Sequence, residues 1–146
     1  MKKLIVFAAA ALFTVNLSAM NKETVNEKVL HAFEQSFKNA SDVVWHEGKD
    51  GYEVKFVHNA IDSRVSYDNE GNILKTIRYY GEEQLPLLVR AKLQKQFAGN
   101  KVFGVTELAA DGLLDYYIVL EDDTTWRHVK CNFTGDMYTY KKYRKA

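Results

Sequence analysis

One cysteine, Cys131, and one proline, Pro86, stand in a chain of 146 residues. A lone thiol excludes an internal disulfide framework and any cysteine-based zinc cluster. So little proline, beside 8 glycines, excludes collagen-like and proline-rich linker architectures. Charge of one sign is missing too. Lys+Arg is 20 and Asp+Glu is 19, which gives +1 and no footing for a strongly basic nucleic-acid binder. Long apolar runs are absent after the N-terminal segment, so no transmembrane helix is expected. What the chain does have is 47% apolar residues, 27% charged residues and 13% aromatics, including nine tyrosines. That is the composition of a soluble globular protein rich in β-structure.

Catalytic patterns are missing as well. The histidines are His31, His46, His58 and His128, and no two sit at i, i+4 on a helix or i, i+2 on a strand, as a metal site needs. His128 and Cys131 differ by three, which places them on opposite faces of a strand and argues against a nucleophile pair. No serine stands in a Gly-x-Ser-x-Gly elbow. Glycine-rich phosphate loops are absent, and Asp68–Asn72 lacks the twelve-residue calcium-loop pattern. Glu82-Glu83 and Asp122-Asp123 read as solvated turns. No catalytic residue, metal or cofactor is expected. Asn39-Ala40-Ser41 and Asn132-Phe133-Thr134 match glycosylation sequons, which matter only in a eukaryotic secretory pathway.

The N-terminus reads as an address. Lys2 and Lys3 precede an apolar run from Leu4 to Val15, broken only by Thr14, and Asn16-Leu17-Ser18-Ala19 ends on a small residue. This is the layout of a secretory signal peptide cleaved after Ala19, too short to span the roughly 30 Å of a bilayer core. The mature chain, residues 20–146, is then expected in the periplasm or outside the cell. It has a net charge of −1, with Lys141, Lys142, Arg144 and Lys145 gathered near its end. This basic tail reads either as a solvated terminus or as a grip on an acidic partner.

The chain also repeats itself. Val25, Val29, Phe33 and Phe37 recur every four residues, and so do Val89, Leu93 and Phe97. Each stripe predicts a helix. Thr24 with Glu27 predicts a capping box for the first; Pro86 and Gly99 suit the ends of the second. The stripes align at an offset of 60, and Val43 and Trp45 match Phe103 and Val105 at the same offset. Beyond a turn the offset becomes 64: Tyr52, Val54 and Phe56 match Tyr116, Ile118 and Leu120. An internal duplication, about 24–80 and 84–143, accounts for both offsets. Each copy reads as a helix and four short strands, with hairpin loops at Asp68–Asn72 and Asn132–Asp136. The fold class is therefore α+β: one domain of two tandem helix-plus-four-strand antiparallel units, helices packed on one face of the sheet.

Strand alternation assigns the faces. The expected core of the first copy is Val43, Trp45, Tyr52, Val54, Phe56, Val65, Tyr67, Ile73, Ile77 and Tyr79. In the second it is Phe103, Val105, Tyr116, Ile118, Leu120, Val129, Cys131 and Met137, with Cys131 buried and inert. The opposite face of the first copy is polar: Glu53, Lys55, Arg64, Ser66, Lys75, Thr76 and Arg78. In the second copy it carries Tyr117, Val119, Trp126, His128, Lys130, Tyr138, Tyr140 and Lys142, joined by Tyr80. Exposed Trp and Tyr beside His and Lys mark a protein-binding face. Trp126, Tyr138, Tyr140, Tyr117 and Tyr80 are the candidate anchors, and His128 and Lys130 the polar contacts. A small-ligand carrier is the alternative.

Phe33-x-x-x-Phe37-x-Asn39-Ala40-x-x-Val43-x-Trp45, Tyr52-Glu53-Val54-x-Phe56, Tyr67-Asp68-x-x-Gly71, Ile77-Arg78-Tyr79-Tyr80 and Tyr116-Tyr117-Ile118-Val119-Leu120 together carry a resemblance. Over residues 24–143 the chain resembles the small exported bacterial PepSY-like proteins with a β-lactamase-inhibitor-protein-like fold. The resemblance implies one curved sheet from two tandem units, with helices behind it. It also implies a binding role, since the namesake inhibitor grips a hydrolase with its sheet and related PepSY domains are tied to restraint of peptidases. No inhibitory loop motif is present to carry over, so β-lactamase inhibition itself is not implied.

Overall fold

A computed structural model describes residues 19–146, and the leader expected over residues 1–19 lies almost wholly outside them. The described chain is a single antiparallel sheet of nine strands in sequence order, with two helices. β1 (Ala19–Met20) pairs with β2 (Ser41–Gly48) and is followed by α1 (Glu27–Ser36). β2, β3 (Gly51–His58), β4 (Ile61–Asp68) and β5 (Ile73–Tyr80) then run as a meander. α2 (Leu87–Gln96) intervenes before β6 (Lys101–Ala110), β7 (Leu113–Glu121), β8 (Thr125–Asn132) and β9 (Met137–Arg144). After β1 the described elements run α1, β2–β5, α2 and β6–β9, and β5 pairs with β6 across the middle.

Each helix forms because its apolar stripe has a sheet to cover. Val29 and Phe33 of α1 are buried against Trp45, Val54, Phe56, Val65 and Tyr67. Phe33 meets Trp45 and Phe56 edge to face at 5.3 and 5.0 Å. Val89 and Leu93 of α2 are buried against Val105, Tyr116, Ile118, Leu120, Val129 and Cys131. Both helices lie on one face, because the paired positions Val54, Val65, Thr76 and Ala109 lead without a break to Val105, four residues back along β6 and on the same side.

Helix starts differ from expectation. Asn26, not Thr24, caps α1, its side chain accepting from the Lys28 N–H at 2.8 Å. Thr24 lies one turn earlier in a 3-10 segment and donates its hydroxyl to the Asn21 carbonyl. Pro86 sits just before α2, at its N-cap position. The hairpin loops are as read. Asp68 accepts from the Glu70 and Asn72 N–H groups at 2.9 Å, and Gly71 has φ +88°. A Cβ on Gly71 would come within 2.9 Å of the Lys28 carbonyl oxygen, so α1 requires glycine there.

Alternation fails at four places, each a β-bulge. The register slips by one residue in β2 between Ser41 and Val44, in β5 at Leu74, in β6 at Phe103 and in β9 at Tyr140. A bulge moves every residue beyond it to the other face. Four expected core residues are consequently not core: Phe103 and Tyr79 are exposed, as is Val43 beside its own bulge, and Ile77 is only half-buried. Ile73 precedes the bulge and pairs with buried Tyr67, so it keeps the expected face, yet at the start of β5 it is exposed. Conversely, Thr76, Arg78 and Tyr80 pair with or adjoin Val65, Ser63 and Val105 and so face the helices, not solvent on the free side. The expected basic tail is not a loose terminus: Lys141, Lys142 and Arg144 belong to β9, and Lys142 pairs with Arg127 on the helix side.

Candidate functional site

The face away from the helices is built by β6–β9. Tyr117, Lys130 and Tyr138 line up across three strands in one row of paired residues, and Val119, His128 and Lys141 form the next. Trp126 and Tyr143 pair in the row beyond. Tyr140, the extra residue of the β9 bulge, also sets its ring on this face, and the slip after it brings Lys141 and Tyr143 there in place of Lys142. Tyr140 meets Tyr117 at 6.2 Å and His128 at 5.8 Å, both edge to face, and Tyr143 meets His128 at 5.5 Å. Phe103, displaced by its own bulge, stands edge-on to Trp126 at 5.0 Å.

Cations are threaded through these rings. Lys130 Nζ lies 5.4 Å from the Tyr117 centroid and 2.9 Å from an Asp115 carboxylate oxygen. Hydrogen bonds to Asp115 and Tyr117 hold its ammonium above the ordinary lysine range. Lys145 Nζ sits 4.7 Å over the Trp126 ring and 2.8 Å from Glu121. Burial, then the neighbouring Lys141 charge, push His128 below the usual histidine value, which favours the neutral ring. The result is a surface of aromatic edges and faces held by cation–π contacts, with Tyr138, Tyr140 and Tyr143 at 58%, 42% and 49% exposure.

Six of the seven candidate residues therefore share this face: Trp126, Tyr138, Tyr140, Tyr117, His128 and Lys130. Tyr80 does not. It packs against the α2 core, and its hydroxyl donates to Glu107, which also accepts from Arg78 Nη1 at 3.0 Å. Arg78 lies over the Tyr80 ring at 5.3 Å. Burial, reinforced by the Glu107 carboxylate, holds the Tyr80 hydroxyl well above its ordinary value. This polar cluster spans the β5–β6 joint.

Phe103, Tyr143, Lys145 and Asp115 belong to the aromatic face and were not among the candidates. The signal for Phe103 is Gly104, since glycine inside a strand marks a bulge. Tyr143 and Lys145 give no such signal. Cys131 is fully buried, and burial pushes its thiol up to about 11. Among the described residues no three His, Cys, Asp or Glu side chains converge on a metal-sized site, and no helix is long and apolar enough to cross a membrane.

No protein-family model matches the chain, and no curated protein matches it in sequence. Solved structures do resemble it. One is a BLIP-like protein of Bacteroides fragilis, with 15% identity over 83% of this chain and 85% of that one and a TM-score of 0.61. Another is a DUF2874 family protein of Bacteroides ovatus, with 17% identity, 83% and 88% coverage and a TM-score of 0.60. A candidate periplasmic protein of Bacteroides eggerthii shares 16% identity over 82% and 88%, with a TM-score of 0.59. At such identities the likeness establishes the fold, which is BLIP-like.

Proposed function

We propose that the protein is an exported, non-enzymatic binding module that holds a protein partner of the cell envelope on the aromatic face of β6–β9. The partner class is a peptidase or another envelope hydrolase, which the module restrains. Export rests on the leader layout of residues 1–19, with the periplasm supported by the candidate periplasmic neighbour. The two helix-plus-four-strand halves are read as products of a duplication, and PepSY-like as the nearest description of the whole.

One observation carries the binding role: Phe103, Trp126, Tyr117, Tyr138, Tyr140 and Tyr143 share a single sheet face, and among the described residues no helix lies over it. Packed tyrosine and tryptophan with flanking cations are the side chains that concentrate binding energy at interfaces. Nothing in the core needs the exposed rings, so their role lies outside the molecule.

The test is a pull-down from the native cell envelope with residues 20–146 as bait, read by mass spectrometry. One envelope protein is expected to be retained. Tyr140→Ala is expected to weaken its binding by about 2 kcal/mol, roughly thirtyfold, while shifting stability by less than about 0.5 kcal/mol. Trp126→Ala should also release the partner. A native mass spectrum showing a co-purified small molecule, with no protein captured, would favour a carrier instead.

A further inference from the structure

The two edges of the sheet differ. β2 is partly covered by β1, through Ala19↔His46 and Met20↔Trp45. β9 ends the sheet order, and seven of its eight residues are exposed. Alternate residues of an edge strand turn both N–H and C=O away from the sheet, a template for one more strand. Among the described residues, the side-chain cover on this edge is a long 3.5 Å contact from Gln96 to the Met137 carbonyl at its start.

The charge on this edge is one-sided. Lys141, Lys142 and Arg144 have no ion-pair partner among the described residues, whereas Lys130 and Lys145 are paired with Asp115 and Glu121. Register places Lys141 on the aromatic face with His128, and Lys142 and Arg144 on the helix side with Arg127 and Thr125. Cations therefore flank the open edge on both faces. Two copies meeting edge to edge would bring these cations together, so the charge opposes self-pairing. It favours an incoming strand with carboxylates on both its faces.

We infer that β9 receives an extended acidic segment of the protein partner as a tenth strand, its backbone on the β9 edge and its carboxylates beside Lys141, Lys142 and Arg144. This rests on the binding role proposed above and names the partner's chemistry. Backbone pairing supplies attachment, the cations select for acid, and Tyr138, Tyr140 and Tyr143 continue the contact onto the aromatic face.

The experiment titrates the isotope-labelled protein with a synthetic octapeptide of repeating Glu-Glu-Val-Val, which sets carboxylates on both faces of a strand, and with its Lys-Lys-Val-Val counterpart. The acidic peptide is expected to shift the β9 amides and slow their hydrogen exchange; the basic one should do neither. N-methylation of alternate peptide amides should abolish binding for one set and spare the other, the signature of strand pairing. Reversal of Lys141, Lys142 and Arg144 together to glutamate should weaken binding about tenfold, from three exposed pairs. Equal response to both peptides, equal loss for both N-methyl sets, or no protection of β9 overturns the inference. If the envelope partner is lost by Tyr140→Ala yet retained by the triple reversal, the aromatic-face reading stands and the edge proposal falls. Loss of neither overturns both.

Discussion

Tyr67 shows most clearly that what packs well is not always what is satisfied. Its ring is 1% exposed in the α1 core, 6.4 Å from Trp45, yet its hydroxyl has no hydrogen-bond partner among the described residues. A buried hydroxyl without a partner costs about 1–3 kcal/mol. Tyr67→Phe removes the cost and leaves the ring, so it should raise stability by about 1 kcal/mol, measured by urea unfolding. The pH dependence checks the same point. Burial pushes the Tyr67 hydroxyl up to about 12 from 10.0, so the folded state holds its proton more tightly than the unfolded chain. The stability tied to that proton is complete below pH 10 and is lost as pH rises from 10 towards 12. The advantage of Tyr67→Phe over the parent should therefore widen across that window. An unchanged difference would mean that the hydroxyl is hydrated.

At the scale of elements, the bulges decide which reading of a strand is correct. The helix stripes, the hairpin loops at Asp68 and Asn132 and the strands of β3, β4, β7 and β8 were legible, because periodicity and turn chemistry act locally. The pairing of His46 with Glu53 follows from the Gly48–Gly51 turn in the same way. The four strands with an extra residue were not legible beyond it. Leu74 carries no mark in the sequence that it will be skipped, and skipping it exchanged Ile77 and Tyr79 for Thr76, Arg78 and Tyr80. Six candidate residues reached the expected face because β7 and β8 are regular and the slip in β9 takes effect only after Tyr138 and Tyr140. The misread strand β5 holds a polar joint instead. The Glu107 side chain is 13% exposed and binds Arg78 and Tyr80 at once. Glu107→Ala leaves the Tyr80 hydroxyl without its acceptor in a half-buried position, and should cost about 2 kcal/mol. Calorimetry of Glu107→Ala beside Glu107→Gln would check it, since glutamine still accepts from Tyr80 and should recover part of the loss.

The whole molecule has two apolar cores on one sheet, and the question is whether it is one cooperative unit. The cores share no buried residue. Their separation would favour independent unfolding if only the helices mattered. The joint argues otherwise. β5 and β6 pair over six successive residues, and Tyr80, which ends the first half, packs into the core of the second. Opening the second half therefore exposes a side chain of the first and strips β5 of a neighbour. The two tryptophans report the halves separately: Trp45 is buried in the α1 core, and Trp126 lies on β8. Variants retaining one tryptophan each, Trp45→Phe and Trp126→Phe, compared by fluorescence in urea, should give the same midpoint shift when Val89→Ala is added. That substitution opens space under α2 at a fully buried position and should cost about 2 kcal/mol. A chain of this size normally unfolds in one step, so both probes should move together. If Val89→Ala moves the Trp126 transition and leaves the Trp45 transition in place, the joint is too weak to couple the halves. The aromatic face, all of it on the second half, would then be carried by a unit that opens alone.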